Sequence, residues 1–229
     1  MCGRYTIREL RLLEAALDAI AKQDDEIPPY KIPTYNAAPA QLLPVAYLDD
    51  KGKRVLEAMK WGFVPAWTRE KPKFAPINAV GETAPTSRMF RQAFSRRRCL
   101  IPADGFYEPK GPKAQKNRPW YFFQMRDHSP FAFGGLWERW HSPDGPADTF
   151  TILTTTPNGF VGRIHDRQPV IIDRKDYAKW LDPKTPPGEV TVMLGAIDET
   201  RLEAWPVSDA AKSSKSKGEQ LIEPIGPKI

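Results

Sequence analysis

The chain has 229 residues, enough to bury a substantial core in one large domain or two small ones, and it carries 34 Lys and Arg against 28 Asp and Glu, a formal net charge of +6. The basic excess suits a polyanionic partner, while no stretch approaches the roughly 20 apolar residues of a membrane span and the N-terminus has no signal-peptide core. Two cysteines and three scattered histidines give no metal-site spacing, so neither a metal nor a cofactor is expected, and the thiols of Cys2 and Cys99 should be reduced, as in a cytoplasmic protein.

The first residues, Met1-Cys2-Gly3-Arg4-Tyr5, carry the sharpest chemistry. A small second residue favours removal of the initiator methionine, and Cys2 would then hold a free α-amine and a thiol on adjacent carbons. An α-amine has a pKa near ~8, against ~10.4 for lysine, so a useful share is unprotonated near neutrality. Such an amine condenses with an aldehyde, and the neighbouring thiol can close a thiazolidine ring. With Met1 attached, the amine is an amide and this chemistry is blocked. The plainer reading is an incidental cysteine in a frayed terminus.

Behind it, Thr6-Ile7-Arg8-Glu9 reads as a capping box, and Leu10, Leu13, Leu17 and Ile20 at helical spacing predict a helix from about Arg8 to Lys22. Tyr35 to Pro39 should be extended or turned, and the apolar run Leu42 to Leu48 leads through Asp50-Lys51-Gly52, a hairpin turn, into Arg54 to Trp61. Further strands are expected at Arg98 to Ile101, Phe106 to Glu108, Trp120 to Met125, Phe131 to Trp137, Thr149 to Thr154, Val170 to Ile172 and Val190 to Leu194. Turn chemistry such as Ser142-Pro143-Asp144-Gly145 separates most of them, and a second helix is expected from near Asp173 to Leu181. Only the Lys- and Ser-rich stretch Lys212 to Gly218 looks locally mobile. These elements predict an α+β fold: one domain over 1–229, a mostly antiparallel, barrel-like β core with peripheral helices, and a loose end at 226–229.

Several residues stand out chemically. Asn78 follows a Pro-rich segment and either caps a turn or uses its paired donor and acceptor to orient a nucleophile or carbonyl; Glu82 reads better as a structural carboxylate. Five arginines between Arg88 and Arg98 form either a solvated face or a phosphate-binding one. Trp61 and Trp67 can stack on unpaired bases or pack in the core. Glu108 places a carboxylate inside the aromatic run Phe106-Tyr107, where partial desolvation would bring its pKa toward neutrality and let it pass protons. His165, in Arg163-Ile164-His165-Asp166-Arg167, is the best proton donor, or else a partner of Asp166. His128 and His141 read as surface histidines. Thr154 can meet a phosphate or sugar oxygen, although β-propensity accounts for it without function.

The ordered set Met-Cys-Gly-Arg-Tyr, Tyr35-Asn36 with Ala38-Pro39, Trp61-Gly62, Ile77-Asn78-Ala79 with Glu82-Thr83, Ser87-Arg88-Met89-Phe90, Asp104 to Glu108, Gly135 to Glu138 and Ile164 to Arg167 with Pro169-Val170 resembles the SOS-response-associated peptidase family, whose members process abasic sites in DNA. The resemblance runs from Met1 to about Ile225. It implies that Cys2, exposed by loss of Met1, attacks the ring-opened abasic sugar in single-stranded DNA and ends as a thiazolidine cross-link that shields the lesion. It further implies that Asn78 positions the Cys2 end and the sugar, that Glu108 shuttles protons and assists removal of Met1, and that His165 protonates sugar oxygens. Arg4, Trp67, Arg88 and Thr154 would bind the DNA. A monomer, cytoplasmic and nucleoid-associated when on DNA, is the default expectation. Val80 stands where relatives commonly have Arg, and Pro109 where they have Trp, which predicts a weaker DNA platform beside intact chemical residues. A thiol peptidase built on Cys2 and His165 and a non-covalent DNA-binding module are the competing readings.

Overall fold

The computed structural model describes residues 2–9, 20–21, 31–112 and 114–229. In chain order the strands are β1 (Tyr5–Ile7), β2 (Ile20–Ala21), β3 (Thr34–Ala37), β4 (Leu42–Leu48), β5 (Arg54–Trp61), β6 (Asn78–Val80) and β7 (Arg98–Ala103). They continue as β8 (Gly105–Pro109), β9 (Trp120–Met125), β10 (Phe131–Ser142), β11 (Gly145–Thr155), β12 (Gln168–Pro169), β13 (Ile171–Ile172) and β14 (Leu202–Val207). Three short α-helices among the described residues, α1 (Arg91–Arg96), α2 (Tyr177–Leu181) and α3 (Pro187–Val192), are peripheral to them.

Five strands close into a barrel. β5 pairs antiparallel with β4, β4 with β7, β7 with β10 and β10 with β11, and a parallel pairing of β11 with β5 completes the circuit. Closure leaves these strands no free edge among themselves. A separate antiparallel sheet, in the order β14-β9-β8-β1-β3, carries the N-terminal strand. The α+β class with a mostly antiparallel, barrel-like core is as expected. Short turns set the registers: Ser142 faces Gly145 across the β10–β11 hairpin, and Asp49 accepts from the Lys51 and Lys53 N–H groups at the β4–β5 hairpin.

The aromatic residues join the two units. Phe106 of β8 stacks on Phe123 of β9 at 4.8 Å between ring centroids and meets Phe133 of the barrel edge-on at 6.0 Å. Tyr5 of β1 lies 5.7 Å from Phe133 and 5.3 Å from Trp61, and Trp61 stacks on Phe150. Such pairs contribute about 0.5–1.5 kcal/mol each beyond their burial. They anchor β1, and with it the segment behind Cys2. Gly105 makes room for Phe122, which packs against Tyr107 and Trp205, because a Cβ there would lie 2.1 Å from Cζ of that buried ring.

Several elements differ from expectation. Thr6 is no helix cap: it lies in β1, and its hydroxyl donates to Asp104. The helix expected from Arg8 lies largely outside the described residues, Arg8 and Glu9 being irregular and Ile20–Ala21 a short strand beside β5. Asn78 sits on a strand, β6, parallel to β11, rather than in a loop. Val190 to Leu194 belongs with helix α3 and the turn after it; the β-branched run suggested a strand, but Pro187 starts a helix and places Val190 and Leu194 together in the core. β14 was not among the expected strands; it carries Pro206, which an edge strand tolerates. The segment expected to be mobile is tied down by Asn36, whose Nδ2 donates to the Ser213 and Ser216 carbonyls. Near the expected loose end, Lys228 pairs with Glu203 and the Ile229 N–H donates to the Ala204 carbonyl.

Candidate active site

β1 and β8 run antiparallel, with Tyr5 opposite Phe106 and the Tyr107 N–H bonded to the Arg4 carbonyl. The chain before Tyr5 is thereby carried along β8 toward Glu108. Cys2 is fully buried, its Sγ 3.7 Å from the Arg4 carbonyl as a donor. Burial first, and the negative charge of Glu108 second, push the Cys2 thiol well above the usual thiol range.

Glu108 is fully buried between aromatic residues of β8 and β9. Burial pushes its carboxyl up to about 7, so it is shared between its acid and anionic forms at neutral pH. His165 brings Nε2 to 3.6 Å from Glu108 Oε2, and burial lowers the imidazole pKa. Its Nδ1 lies 3.0 Å from both the N–H and the carbonyl oxygen of Arg167 and 3.1 Å from Asp166 Oδ1. Accepting from the N–H leaves the ring proton on Nε2, facing Glu108; donating to the carbonyl leaves Nε2 bare. The backbone thus accommodates either tautomer, and Nε2 can give or take a proton.

Asn78 lies on β6, beside strand β11 of the barrel. Trp61 donates its indole N–H to the Ile77 carbonyl at 2.9 Å, and Asn78 follows, opposite Ile152. Both polar atoms of the Asn78 amide are buried without a hydrogen-bond partner among the described residues. A buried amide left unpaired costs about 1–3 kcal/mol per group, which makes it a candidate for a ligand. Glu82, past the end of β6, accepts from Arg167 Nη1 at 2.9 Å and Nη2 at 2.6 Å, and Arg167 also donates to the Thr154 carbonyl. This ion pair ties the Asn78 strand to the His165 turn, matching the expected structural role of Glu82.

The expected DNA-binding residues separate into two kinds. Trp67 is 58% exposed, with the Arg88 guanidinium 5.8 Å from its ring centroid, and the two share a groove with Arg91 and Arg96 of α1. Arg4 is half-buried and donates to the Gly3 carbonyl. Thr154 is buried and its hydroxyl bonds the Ala79 carbonyl, so that hydroxyl is turned into the sheet. Trp61 is a core residue. Arg97 and Arg98 are structural, Arg97 pairing with Glu138 and Arg98 bonding the Phe94 and Trp180 carbonyls. Val80 is exposed. Two contributors had no signal in the sequence: the charge of Arg118 acts on both Glu108 and His165, and Arg167 finds Glu82 from 85 positions away.

A family model for the SOS response associated peptidase (SRAP) matches residues 1–214. The chain belongs to the SRAP family. Among its SRAP relatives, the abasic site processing protein YoqW of Bacillus subtilis is 36% identical over 97% of this chain and 99% of that protein. The abasic site processing protein YedK of Escherichia coli is 28% identical over 98% of this chain and all of that protein. A solved structure from Bacteroides thetaiotaomicron has the same fold, with a TM-score of 0.86 at 20% identity over 97% of this chain and 99% of that one. No metal-holding group of three or more His, Cys, Asp or Glu occurs among the described residues of this SRAP chain, and none of its described helices is long and apolar enough to cross a membrane.

Proposed function

We propose that this chain, once Met1 is removed, forms a thiazolidine cross-link with the ring-opened sugar of an abasic site in single-stranded DNA and so shields the lesion. The observation that carries the reading is Glu108: a carboxyl sealed in the core, raised to about 7, 3.6 Å from His165 and near enough to Cys2 for its charge to act on the thiol. Aldehyde condensation at neutral pH needs a proton carrier of that kind. The names of the relatives point to the aldehyde, since an abasic sugar in its open form carries one at C1′.

The Cys2 α-amine adds to the C1′ carbonyl carbon, and its proton passes to the oxygen by way of Glu108. That oxygen leaves as water, giving an imine. Sγ then adds to the imine carbon while its proton passes to the nitrogen, closing the ring. Held on the adjacent carbon, the thiol attacks at a high effective concentration, so it has no need of a lowered pKa. His165 supplies a proton to the sugar oxygen released on ring opening, and the Asn78 amide orients the sugar and the Cys2 end. Glu108 also assists the loss of Met1. Arg4, Trp67 and Arg88 hold the strand, and Thr154 contributes through the carbonyl that fixes Arg167. A thiol peptidase acting in trans would need a ready thiolate at Cys2, and burial and Glu108 both oppose one.

Intact mass before and after incubation with an abasic oligonucleotide tests the reading. Met1 should be absent, and the protein should gain the mass of one strand less one water. Cys2→Ala should gain nothing; an adduct that survives in that variant sinks the proposal.

A further inference from the structure

Beside Glu108, and lined in part by His165 itself, lies a cavity of about 710 Å³. Its walls are the segment Pro109 to Pro112 with Arg118, which follows β8, and the turn Gly162 to Arg167 that carries His165. Four cationic side chains line it, Lys110, Arg118, Arg163 and Arg167, against the single carboxylate of Asp166. Arg167 is committed to Glu82. The other three form no ion pair among the described residues; Lys110 lies 5.8 Å from the Tyr121 ring centroid, Arg163 lies 5.9 Å from that of Phe160, and Arg118 donates to the Gly111 carbonyl. Those contacts hold the cations at the cavity wall and leave most of their donors unused. Like charges gathered without acidic partners repel one another, and an anion between them relieves that repulsion.

We propose that this cavity holds a backbone phosphate adjoining the abasic sugar, with Lys110, Arg118 and Arg163 as its cationic partners. This inference rests on the proposed reaction with abasic DNA. An internal abasic sugar carries a phosphate on its 3′ oxygen and another on its 5′ oxygen. With C1′ at Cys2 and Glu108, one of these lies within a single backbone unit of His165, where the cavity opens. Guanidinium groups match phosphate oxygens in pairs, and a lysine adds a mobile charge beside them. A phosphate seated there fixes the sugar against the Glu108–His165 pair and lets the strand supply the negative charge that the cavity lacks.

The test uses binding rather than cross-linking, so that it does not depend on Cys2 chemistry. Single-stranded oligonucleotides carry an unreactive tetrahydrofuran analogue of the abasic site, with either ordinary phosphates or uncharged methylphosphonates at the two linkages beside it. Wild type is compared with K110Q/R163Q, two exposed positions whose replacement should leave the thermal midpoint unchanged. Wild type should lose about tenfold in affinity with methylphosphonates, whereas the double variant, already weakened on the ordinary strand, should lose less than twofold further. The slope of log affinity against log salt should fall by about 0.7 for each phosphate that the protein no longer neutralises. An equal methylphosphonate penalty in both proteins overturns the cavity assignment and leaves the DNA reading standing. Failure of wild type to bind either strand overturns the DNA reading itself.

Discussion

The turn after residues Val161–Arg163 presents two basic side chains two positions apart, His165 and Arg167, and each faces a glutamate. Glu82 accepts two short hydrogen bonds from Arg167 and another from the Thr156 N–H, and these donors hold its carboxyl down at about 2. Glu108, 3.6 Å from His165, is sealed in the core, and burial pushes it up to about 7. The residue type and the turn are shared; the solvent and the donors are not. With its side chain 43% exposed and strong donors at hand, Glu82 is an anion throughout the neutral range and serves as a clamp. Glu108 can hold or release a proton at neutral pH, which is the property that acid–base work requires.

Removing the Glu108 charge should have the largest effect on that contrast. Glu108→Gln should slow single-turnover adduct formation by roughly 10²–10⁴-fold, the usual share of a general acid–base group. Stability should move the other way. The folded pKa of about 7 lies above the ordinary 4.5, so the Glu108 contribution is fully present below 4.5 and is lost as pH rises through about 7. Above that, its burial as an anion costs on the order of 3 kcal/mol. Glutamine has no proton to lose, so the variant's thermal midpoint should gain on wild type between pH 5 and pH 8. Parallel midpoint curves would mean that Glu108 does not titrate there, and its difference from Glu82 would collapse.

A smaller effect separates holding the strand from transforming it. Trp67 lies open with Arg88 against its ring, in a groove that bears Arg91 and Arg96 and has no carboxylate among its lining residues. Stacking of one base on an aromatic ring contributes about 1–3 kcal/mol. Trp67→Ala should therefore weaken single-stranded DNA binding by roughly ten- to a hundredfold, read by fluorescence anisotropy, while the adduct rate at saturating DNA stays as in wild type. A lower saturating rate would move Trp67 from the binding face into the reaction.

The two glutamates also mark how far the sequence could be read. Glu108 was legible because a carboxylate beside Phe106 and Tyr107 in a strand-like run implies burial, and burial implies a raised pKa. Glu82 was legible as structural, but its partner was not, since Arg167 is 85 positions away and only the pairing of β6 and β12 with β11 brings the two together. For the same reason the influence of Arg118 on Glu108 and His165 could not be seen. Strands with predominantly apolar sequences, such as Leu42–Leu48 and Trp120–Met125, matched expectation residue for residue. The differences came where local chemistry and tertiary context disagree: Thr6, which reads as a helix cap but lies in β1, and the Val190 to Leu194 run after a helix-starting proline.

Glu82→Gln should have the smallest effect, and its size decides whether clamp and proton carrier are truly distinct. The glutamine keeps the shape and one acceptor but loses the charge that pairs with both Arg167 nitrogens. An ion pair this exposed contributes about 0.2–1 kcal/mol, and its two-pronged geometry favours the upper end. Because the folded pKa is depressed, that stability is present above 4.5 and lost as pH falls through about 2. The midpoints of wild type and variant should therefore differ at pH 7 and converge in acid, and the difference should shrink at high salt. Adduct formation should slow only severalfold, because His165 is held by the Arg167 backbone rather than by its guanidinium. A loss as deep as that of Glu108→Gln would show that the clamp sets the geometry of the proton carrier, and the two glutamates would have to be treated as one device spanning the turn.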